Sequence, residues 1–315
     1  MSQTITKPSL RVKITGACNR TCNFCNEEGD MRTIIPVDPD PAFFECVYGL
    51  TEKLLLTRVM LTGGEPTLHP KLREIVMGIS SPNISVTTNG IRLLSTEEWI
   101  ELREAGLRKV TVSIHDATPQ SFMQLETRQR QFGWAILALE SQKQNLIHAS
   151  EAGLSVSVNT VAHHSYGQVL RVLDSLGDLQ RKYPFSIKLL NDLANIEKSQ
   201  QIIRDVCQSL GARTIKEERR AGSSNTTILW ETDSGLRFST KMAYPYFFNP
   251  ICSECPIKTQ CHEGFYGVRL ERRVSDYWVR LCIYKHSLNV LMPWKSFLES
   301  KLSDELRELC EREQS

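Results

Sequence analysis

The sequence predicts an α/β fold built around parallel strands. Six short runs rich in Val, Ile, Leu or Thr alternate with six helical patterns through the first two thirds of the 315 residues. Strict strand–helix alternation indicates parallel strands joined by right-handed crossovers. Because six strands are two short of a closed eight-stranded barrel, we expect an open, partial (β/α)6 TIM-like barrel or a doubly wound sheet, with ligands at the carboxyl ends of the strands.

The predicted strands cover residues 10–15, 58–62, 84–88, 109–114, 154–161 and 186–190. The predicted helices cover residues 41–55, 69–79, 96–105, 134–153, 167–179 and 196–210. The pattern changes after about Gly211, where residues 226–242 read as a hairpin around Asp233-Ser234-Gly235 and a charged amphipathic tail from Pro293 reads as one terminal helix. We therefore divide the chain into residues 1–210 and 211–315.

Composition and charge limit the cellular environments and the partners that we expect for this protein. Hydrophobic residues make up 41% of the chain, and 38 basic side chains balance 36 acidic ones without forming a basic block. We therefore expect a sizeable core and no nucleic-acid partner. The first ten residues lack a signal-peptide pattern, and no apolar run approaches the ~18 residues that span a bilayer. These features predict a cytoplasmic protein without a membrane partner.

Seven of the ten cysteines fall into two groups, which in a reducing compartment indicate metal binding. The first group has the spacing C-x3-C-x2-C and the second C-x2-C-x5-C-x20-C. Their members are Cys18, Cys22 and Cys25, and then Cys252, Cys255, Cys261 and Cys282. The remaining three, Cys46, Cys207 and Cys310, lie in helical patterns and are expected to be ordinary buried residues.

The first group directly follows the first predicted strand, where active-site loops lie. Three thiolates on a four-iron cube leave one iron open to a small molecule. The alternative is zinc with a distant fourth ligand such as Cys46 or His69. The second group suits either a zinc ribbon or a second iron–sulfur cluster.

Polar and glycine residues follow the next three strands. Two consecutive glycines after the second strand would let the backbone approach a ligand closely. The glutamate that follows them could accept hydrogen bonds from an amine. On the fourth strand, Ser113 and His115 should face the same way, because side chains alternate along a strand. Tight strand–helix turns and an Asn-Gly turn are the ordinary alternatives. The candidates are Gly63, Gly64 and Glu65 after the second strand, Thr88 and Asn89 after the third, and Ser113 and His115 on the fourth.

In this order, these motifs resemble the radical S-adenosylmethionine enzymes over roughly residues 9–190. The resemblance implies that the first cysteine group holds a [4Fe–4S] cluster whose fourth iron binds the methionine amino and carboxylate groups of S-adenosylmethionine. It implies a partial (β/α)6 barrel. It also implies cofactor contacts from Phe24, Gly63, Gly64, Glu65, Thr88, Asn89 and Ser113, with Arg128 and Asn159 as weaker matches.

The implied activity is reductive cleavage of S-adenosylmethionine to a 5′-deoxyadenosyl radical. The radical abstracts a hydrogen atom from a small-molecule substrate, which then rearranges, cyclises or is oxidised in a lyase- or oxidoreductase-type reaction. A reductase, a flavodoxin or a ferredoxin would supply the electron. No catalytic acid or base is assigned; the candidates are His115, His163, His164 and His262.

Both ends of the chain resemble the cyclic pyranopterin synthase (molybdenum cofactor) family, the MoaA-like branch. The opening "LRVKITGACNRTCNFC" places Arg11 at a substrate-phosphate position, and "LSVSVNTV" matches the family's fifth strand. A hairpin followed by Cys-x2-Cys and a further Cys resembles its auxiliary-cluster region, which implies a second [4Fe–4S] cluster in a small C-terminal region. Arg269 and Arg272 are candidates for its nucleotide-contacting arginines.

The chain also departs from that family. About eleven inserted residues after Cys255 bring Cys261 as a fourth ligand, which would prevent substrate binding through iron, and the chain ends without a Gly-Gly tail. We therefore expect a relative with another small substrate, nucleotide- or nucleoside-like. The alternatives are a maturase of ribosomal peptides, weakly disfavoured because only about nine residues precede the first strand, and a non-catalytic zinc-stabilised binding protein.

Overall fold

The computed structural model describes residues 3–6, 9–25, 34–220, 225–243, 246–265, 267–274, 276–285, 287 and 290–312. The strands are β1 (Gln3–Thr6), β2 (Ser9–Thr15), β3 (Arg58–Gly63), β4 (Ile84–Thr88), β5 (Leu107–Ser113), β6 (Ser155–Ala162), β7 (Phe185–Asn191), β8 (Arg213–Arg220), β9 (Asn225–Glu231), β10 (Arg237–Ala243), β11 (Val268–Arg273), β12 (Asp276–Arg280) and β13 (Leu291–Pro293). The α-helices are α1 (Pro41–Lys53), α2 (Leu72–Gly78), α3 (Thr96–Ala105), α4 (Pro119–Gln124), α5 (Phe132–Glu151), α6 (Tyr166–Lys182), α7 (Ile196–Ser209), α8 (Asn249–Cys252), α9 (Trp294–Leu298) and α10 (Lys301–Arg312).

The described strands form one sheet in the order β1-β8-β9-β10-β7-β6-β5-β4-β3-β2-β11-β12-β13. Its centre is the run from β2 to β7, in which every neighbouring pair is parallel. Because β1 and β13 are the two ends of the sheet, it does not close into a barrel. The predicted α/β class and the open arrangement of six parallel strands are confirmed.

Local sequence explains where the crossover helices begin and end. Asp40 caps α1 by accepting from Phe43 N, and Pro41 occupies the first turn. A reciprocal Ser95–Glu98 capping box starts α3, and Gly106 ends it with φ +126°. The second predicted helix begins at Leu72 and not at His69, because His69, which follows a 3-10 turn at residues 66–68, has an extended backbone (φ −72°, ψ 121°).

The C-terminal segment joins both flanks of the central strands. The predicted hairpin is confirmed as the antiparallel pair β9–β10, and β10 lies parallel to β7. On the other flank, β11 lies parallel to β2 and pairs antiparallel with β12. The single terminal helix that we predicted is wrong: α9 and α10 are separate helices, and Ser300 hydrogen-bonds at the break with Phe297 O and Ser303 N.

The core lies where the helices cover the sheet. The strands from β2 to β7 contribute residues with no exposed surface, including Val12, Leu61 and Val158. The isolated cysteines are buried as expected: Cys46, Cys207 and Cys310. Among the described residues, no helix combines the length and the hydrophobicity that crossing a bilayer would require.

Candidate active site

A cavity of about 460 Å³ lies at the carboxyl ends of the parallel strands. The cysteine loop after β2 forms part of its wall, together with the first residues after β3, β4, β5 and β7. Residues of β10, β11 and the loop before β11 also line it. The site residues predicted from the sequence that line it are Arg11, Cys18, Cys22, Phe24, Cys25, Gly63, Gly64, Thr88, Asn89, Ser113, His115, Asn159 and Arg269.

The three cysteines of the first group border this cavity together. Burial raises the pKa of the Cys22 thiol to about 12 and raises the pKa of Cys18 as well. Arg20 N donates to Cys18 Sγ at 3.4 Å, the only hydrogen bond to a thiol of this loop shorter than 3.5 Å among the described contacts. Thiols with such raised pKa values become good ligands only when nearby cations favour the thiolate form. The irons of an iron–sulfur cluster are such cations. The donor set fits such a cluster.

Gly63 and Gly64 let the loop after β3 contact the cysteine loop directly. Gly64 N donates to Thr15 O at 2.8 Å, and the next amide donates to Ala17 O at 2.7 Å. A Cβ at Gly63 would lie 2.2 Å from Thr15 O, and one at Gly64 would lie 2.2 Å from Ala17 O. No larger residue fits either position without moving the loop. The glycine pair is thus needed for the close packing of these two backbone segments.

The structure places Glu65 behind the wall of the cavity, not in its lining. The side chain is fully buried, and its Oε1 accepts from Thr67 Oγ1 at 2.7 Å and Thr88 Oγ1 at 2.6 Å. Its Oε2 accepts from Asn89 N at 2.6 Å. Burial raises the pKa of this carboxyl, although the hydrogen bonds oppose the shift. Glu65 therefore positions the residues that line the cavity after β4.

Gln142 of α5 connects two of the lining loops, a role that our sequence analysis missed. Its Nε2 donates to Asn89 O at 2.8 Å and to Ser113 O at 2.9 Å. Because Gln142 is completely buried, one amide group fixes the spacing between the loops after β4 and β5. A polar residue within an apolar helix face is the signal that could have identified it.

Arg20 is a second lining residue that the sequence reasoning missed. Its Nε donates to the buried Glu126 Oε1 at 2.7 Å, and its guanidinium lies 4.3 Å from the centre of the Phe122 ring. The two terminal nitrogens are buried and, within the described part of the chain, have no hydrogen-bond partner. Arg128, predicted to contact the cofactor, is exposed and does not line the cavity. Its backbone amide donates to Thr21 Oγ1 of the cysteine loop at 3.3 Å.

The arginines predicted to bind substrate separate into two groups. Arg11 and Arg269 are register neighbours on β2 and β11, and both line the cavity. Arg272 does not: its Nη1 donates to Asp38 Oδ2 at 2.8 Å and to Pro36 O at 2.9 Å. Side chains alternate between the two faces of a strand, so Arg269 and Arg272, three residues apart on β11, lie on opposite faces. The sequence alone does not tell which of the two faces the cavity.

The candidate histidines also differ. Burial, with Arg20 and His163 nearby, lowers the pKa of His115 to about 3, and its Nδ1 accepts from Val161 N at 3.0 Å. His115 is therefore neutral, with its proton on Nε2. His163 Nδ1 lies 2.6 Å from Asp192 Oδ2, so these two residues form a His–Asp pair at the ends of β6 and β7. Burial lowers the pKa of His164, and His262 is exposed.

The second cysteine group borders a separate, smaller cavity. Cys252, Cys255, Cys261 and Cys282 all line it. Burial raises the pKa of Cys252, and charges on the neighbouring Cys282, Cys255 and Cys261 raise it further. Within the described ranges, no three Cys, His, Asp or Glu side chains converge closely enough to hold a single metal ion.

Comparison with known proteins agrees with this geometry. The model of the radical SAM superfamily matches residues 12–176, more than half of the chain. The GTP 3′,8-cyclase of Aquifex aeolicus is 35% identical over 158 residues, which cover 48% of this chain and 47% of that protein. The GTP 3′,8-cyclase of Streptomyces coelicolor is 34% identical over 159 residues, covering 48% and 44%. The matches thus span about half the length of these curated relatives.

A solved structure supports the fold over a longer stretch. The structure of Streptococcus suis SuiB bound to S-adenosylmethionine superposes with a TM-score of 0.53 at 15% identity, covering 96% of this chain and 64% of that one. This likeness concerns the fold alone. The superfamily match implies a [4Fe–4S] cluster and S-adenosylmethionine, and the three cysteines around the cavity fit them. The chain therefore belongs to the radical SAM superfamily and is an enzyme.

Proposed function

We propose that this enzyme abstracts a hydrogen atom from a small, anionic, nucleotide- or nucleoside-like substrate. The observation that carries the proposal is a single cavity lined by both the cysteine loop and the paired arginines Arg11 and Arg269. A substrate whose anionic group lies against these arginines would share the cavity with the cofactor. Similarity to proteins named GTP 3′,8-cyclase supports a nucleotide.

The residues that would hold the cofactors surround one part of this cavity. Cys18, Cys22 and Cys25 would ligate the first [4Fe–4S] cluster. When bound, the cluster and S-adenosylmethionine supply a 5′-deoxyadenosyl radical that abstracts hydrogen. Backbone groups of the glycine pair would face the methionine amine, and the lining residues Phe24, Thr88, Asn89, Ser113 and Asn159 would contact the nucleoside part.

Arg20 would hold the methionine carboxylate, whereas Arg128, which we expected to contact the cofactor, does not line the cavity. Its two buried terminal nitrogens have four N–H bonds to offer, and a carboxylate satisfies a guanidinium fork in a bidentate manner. The Glu126 carboxylate and the Phe122 ring fix the direction of the fork. This chain thus contributes a preorganised anion site beside the cysteine loop, which would orient the cofactor before reaction.

The second cysteine group would hold a second [4Fe–4S] cluster with four protein ligands. With four cysteine ligands, this cluster would have no open iron, so the enzyme would contact its substrate through side chains. The alternative of a non-catalytic zinc protein is wrong, because the superfamily match identifies an enzyme. A reductase, a flavodoxin or a ferredoxin would provide the electron in the cytoplasm.

A substrate screen tests the proposal. Anaerobically purified enzyme is incubated with S-adenosylmethionine, a strong reductant and a panel of nucleotides and nucleosides, and 5′-deoxyadenosine release is measured. We expect at least one of them to stimulate release, with deuterium transferred from a labelled substrate position. Cys18→Ala should abolish the release. If no member of the panel stimulates release above the substrate-free rate, the proposed substrate class is wrong.

A further inference from the structure

The part of the cavity wall nearest the second cysteine group in sequence contains an acidic residue with an unusual environment. Glu263 lies two residues after Cys261, is 1% exposed and lines the cavity. Its Oε2 accepts from Lys241 Nζ of β10 at 2.9 Å. Its Oε1 is buried and, within the described residues, has no hydrogen-bond partner. A buried carboxylate oxygen without a donor is costly, so this atom is an acceptor that lacks its partner in a residue of the cavity wall.

A second acceptor lies on the same wall. Asn191, the last residue of β7, is 6% exposed and lines the cavity. Its Nδ2 donates to Lys241 O at 3.4 Å, which leaves Oδ1 as the group without a partner in the described structure. Lys241 therefore adjoins both residues, one through its ammonium group and the other through its carbonyl. Two buried acceptor oxygens are thus brought to one stretch of wall.

The charges around these oxygens decide what kind of donor they suit. The Lys241 ammonium offsets the charge of Glu263, so a ligand here need not be cationic. Arg11 and Arg269 line the same cavity and favour a ligand that carries a negative charge on another part of the molecule. The ligand chemistry that satisfies both conditions is an anion carrying a neutral edge with two N–H donors.

We infer that Glu263 and Asn191 recognise a neutral N–H donor edge of the substrate, such as the N1–H and 2-amino group of a guanine base. This inference rests on the proposed function, since it concerns the substrate part of the same cavity. Carboxylate and amide oxygens are the usual partners of such donors. Glu263 is then a specificity-determining residue. It supplies the substrate contact that a fully cysteine-ligated second cluster cannot supply through iron.

Nucleotide binding to the anaerobic holoenzyme tests the inference directly. The probes are GTP, ITP, which lacks the 2-amino group, and ATP, which lacks N1–H, each titrated by calorimetry in the presence of S-adenosylmethionine. We expect GTP to bind about tenfold more tightly than ITP or ATP, since one unpaired buried acceptor costs on this order. Glu263→Gln should remove most of this preference. Glu299→Gln, an exposed residue in the same part of the chain, is the matched control and should retain it.

Asn191→Ala keeps the inference testable if Glu263→Gln does not fold. It leaves the Lys241–Glu263 ion pair intact and should also reduce the preference for GTP over ITP. Iron and sulfide contents equal to wild type would show that both clusters are intact. Equal binding of all three nucleotides, no binding of GTP, or an unchanged preference in both variants would overturn the inference. The proposed function fails separately, if no nucleotide or nucleoside stimulates 5′-deoxyadenosine release.

Discussion

Arg20 and Glu126 form a buried ion pair that joins the cysteine loop to the segment after α4, 106 residues further along the chain. The pair does more than hold one side chain, because Glu126 Oε2 also accepts from Thr21 N at 2.8 Å and Thr21 Oγ1 at 3.1 Å. Backbone bonds from Asn23 N to Leu125 O and from Thr127 N to Thr21 O reinforce the connection. The cysteine loop therefore depends on a distant segment for its shape.

Removing the acidic partner should destabilise the loop and the protein. Glu126→Ala leaves the Arg20 charge buried without its partner, a change that costs about 3 kcal/mol or more in comparable buried pairs. We expect the apparent melting temperature to fall by about 5 °C or more, with a lower iron content after anaerobic reconstitution. Glu311→Ala, which breaks an exposed pair on α10, is the control and should change neither quantity measurably. Equal effects of the two substitutions would contradict the assigned role of Glu126.

Arg20 itself should control cofactor affinity. Arg20→Lys keeps a positive charge but loses the planar fork that binds a carboxylate at two points. We expect S-adenosylmethionine to bind about tenfold more weakly, measured by equilibrium dialysis with the reconstituted enzyme. Arg128→Lys, in an exposed residue outside the cavity, should bind as the wild type does. The opposite order of the two variants would restore Arg128 as the cofactor ligand.

The glycine pair gives a steric prediction. Gly64→Ala places a methyl group 2.2 Å from Ala17 O, so the cysteine loop must move. We expect loss of the first cluster, seen as a fall in bound iron by about half, and no 5′-deoxyadenosine. Gly133→Ala lies in α5 with no atom within 4 Å of the added methyl and should leave iron content unchanged. A Gly64→Ala variant with full iron content would show that the loop tolerates the displacement.

The fourth cysteine of the second group should affect only its own cluster. Cys261→Ala removes a predicted ligand while the first cysteine loop stays intact, so slow cleavage of S-adenosylmethionine should remain measurable. The electron paramagnetic resonance signal of the second cluster should change, because one iron gains an exchangeable ligand. Cys46→Ala serves as a control, since Cys46 is buried in the core and lines neither of the two cavities. An unchanged signal in Cys261→Ala would mean that Cys261 is not a ligand.

The central strands could be predicted because their sequences carry the physical cause of the structure. The run of β6, for example, is rich in valine and is buried on both faces over most of its length. β8 and β11 could not, because "RTIKEERR" and "VRLERR" are rich in charge. In β11 the buried Glu271 is compensated by Lys13, whose Nζ lies 3.5 Å away on the neighbouring β2. That compensation comes from a residue more than 250 positions earlier in the chain.

The candidate site, too, could be predicted where its cause lies in the local sequence and not where it lies in long-range contacts. Residues directly after parallel strands were predicted to meet, since those strand ends lie along one edge of the sheet. Arg20, Glu126, Gln142 and Glu263 were not recognised, because what marks each of them is a contact across the fold and not a local motif. Glu65 shows the converse: its motif was correctly noticed, yet the contacts turn its carboxylate away from the cavity.

The pairing of β11 with β2 has a consequence for how the chain is made. Until residues 268–273 have been synthesised, β2 has a neighbour on one side only and presents an open row of backbone groups directly below the cysteine loop. Such long-range parallel pairing forms slowly. In a nascent or truncated chain, Cys18, Cys22 and Cys25, the thiols expected to bind metal, would therefore lie next to an unpaired strand edge that can pair with other chains. We expect the first cluster to be inserted most reliably once β11 has docked against β2.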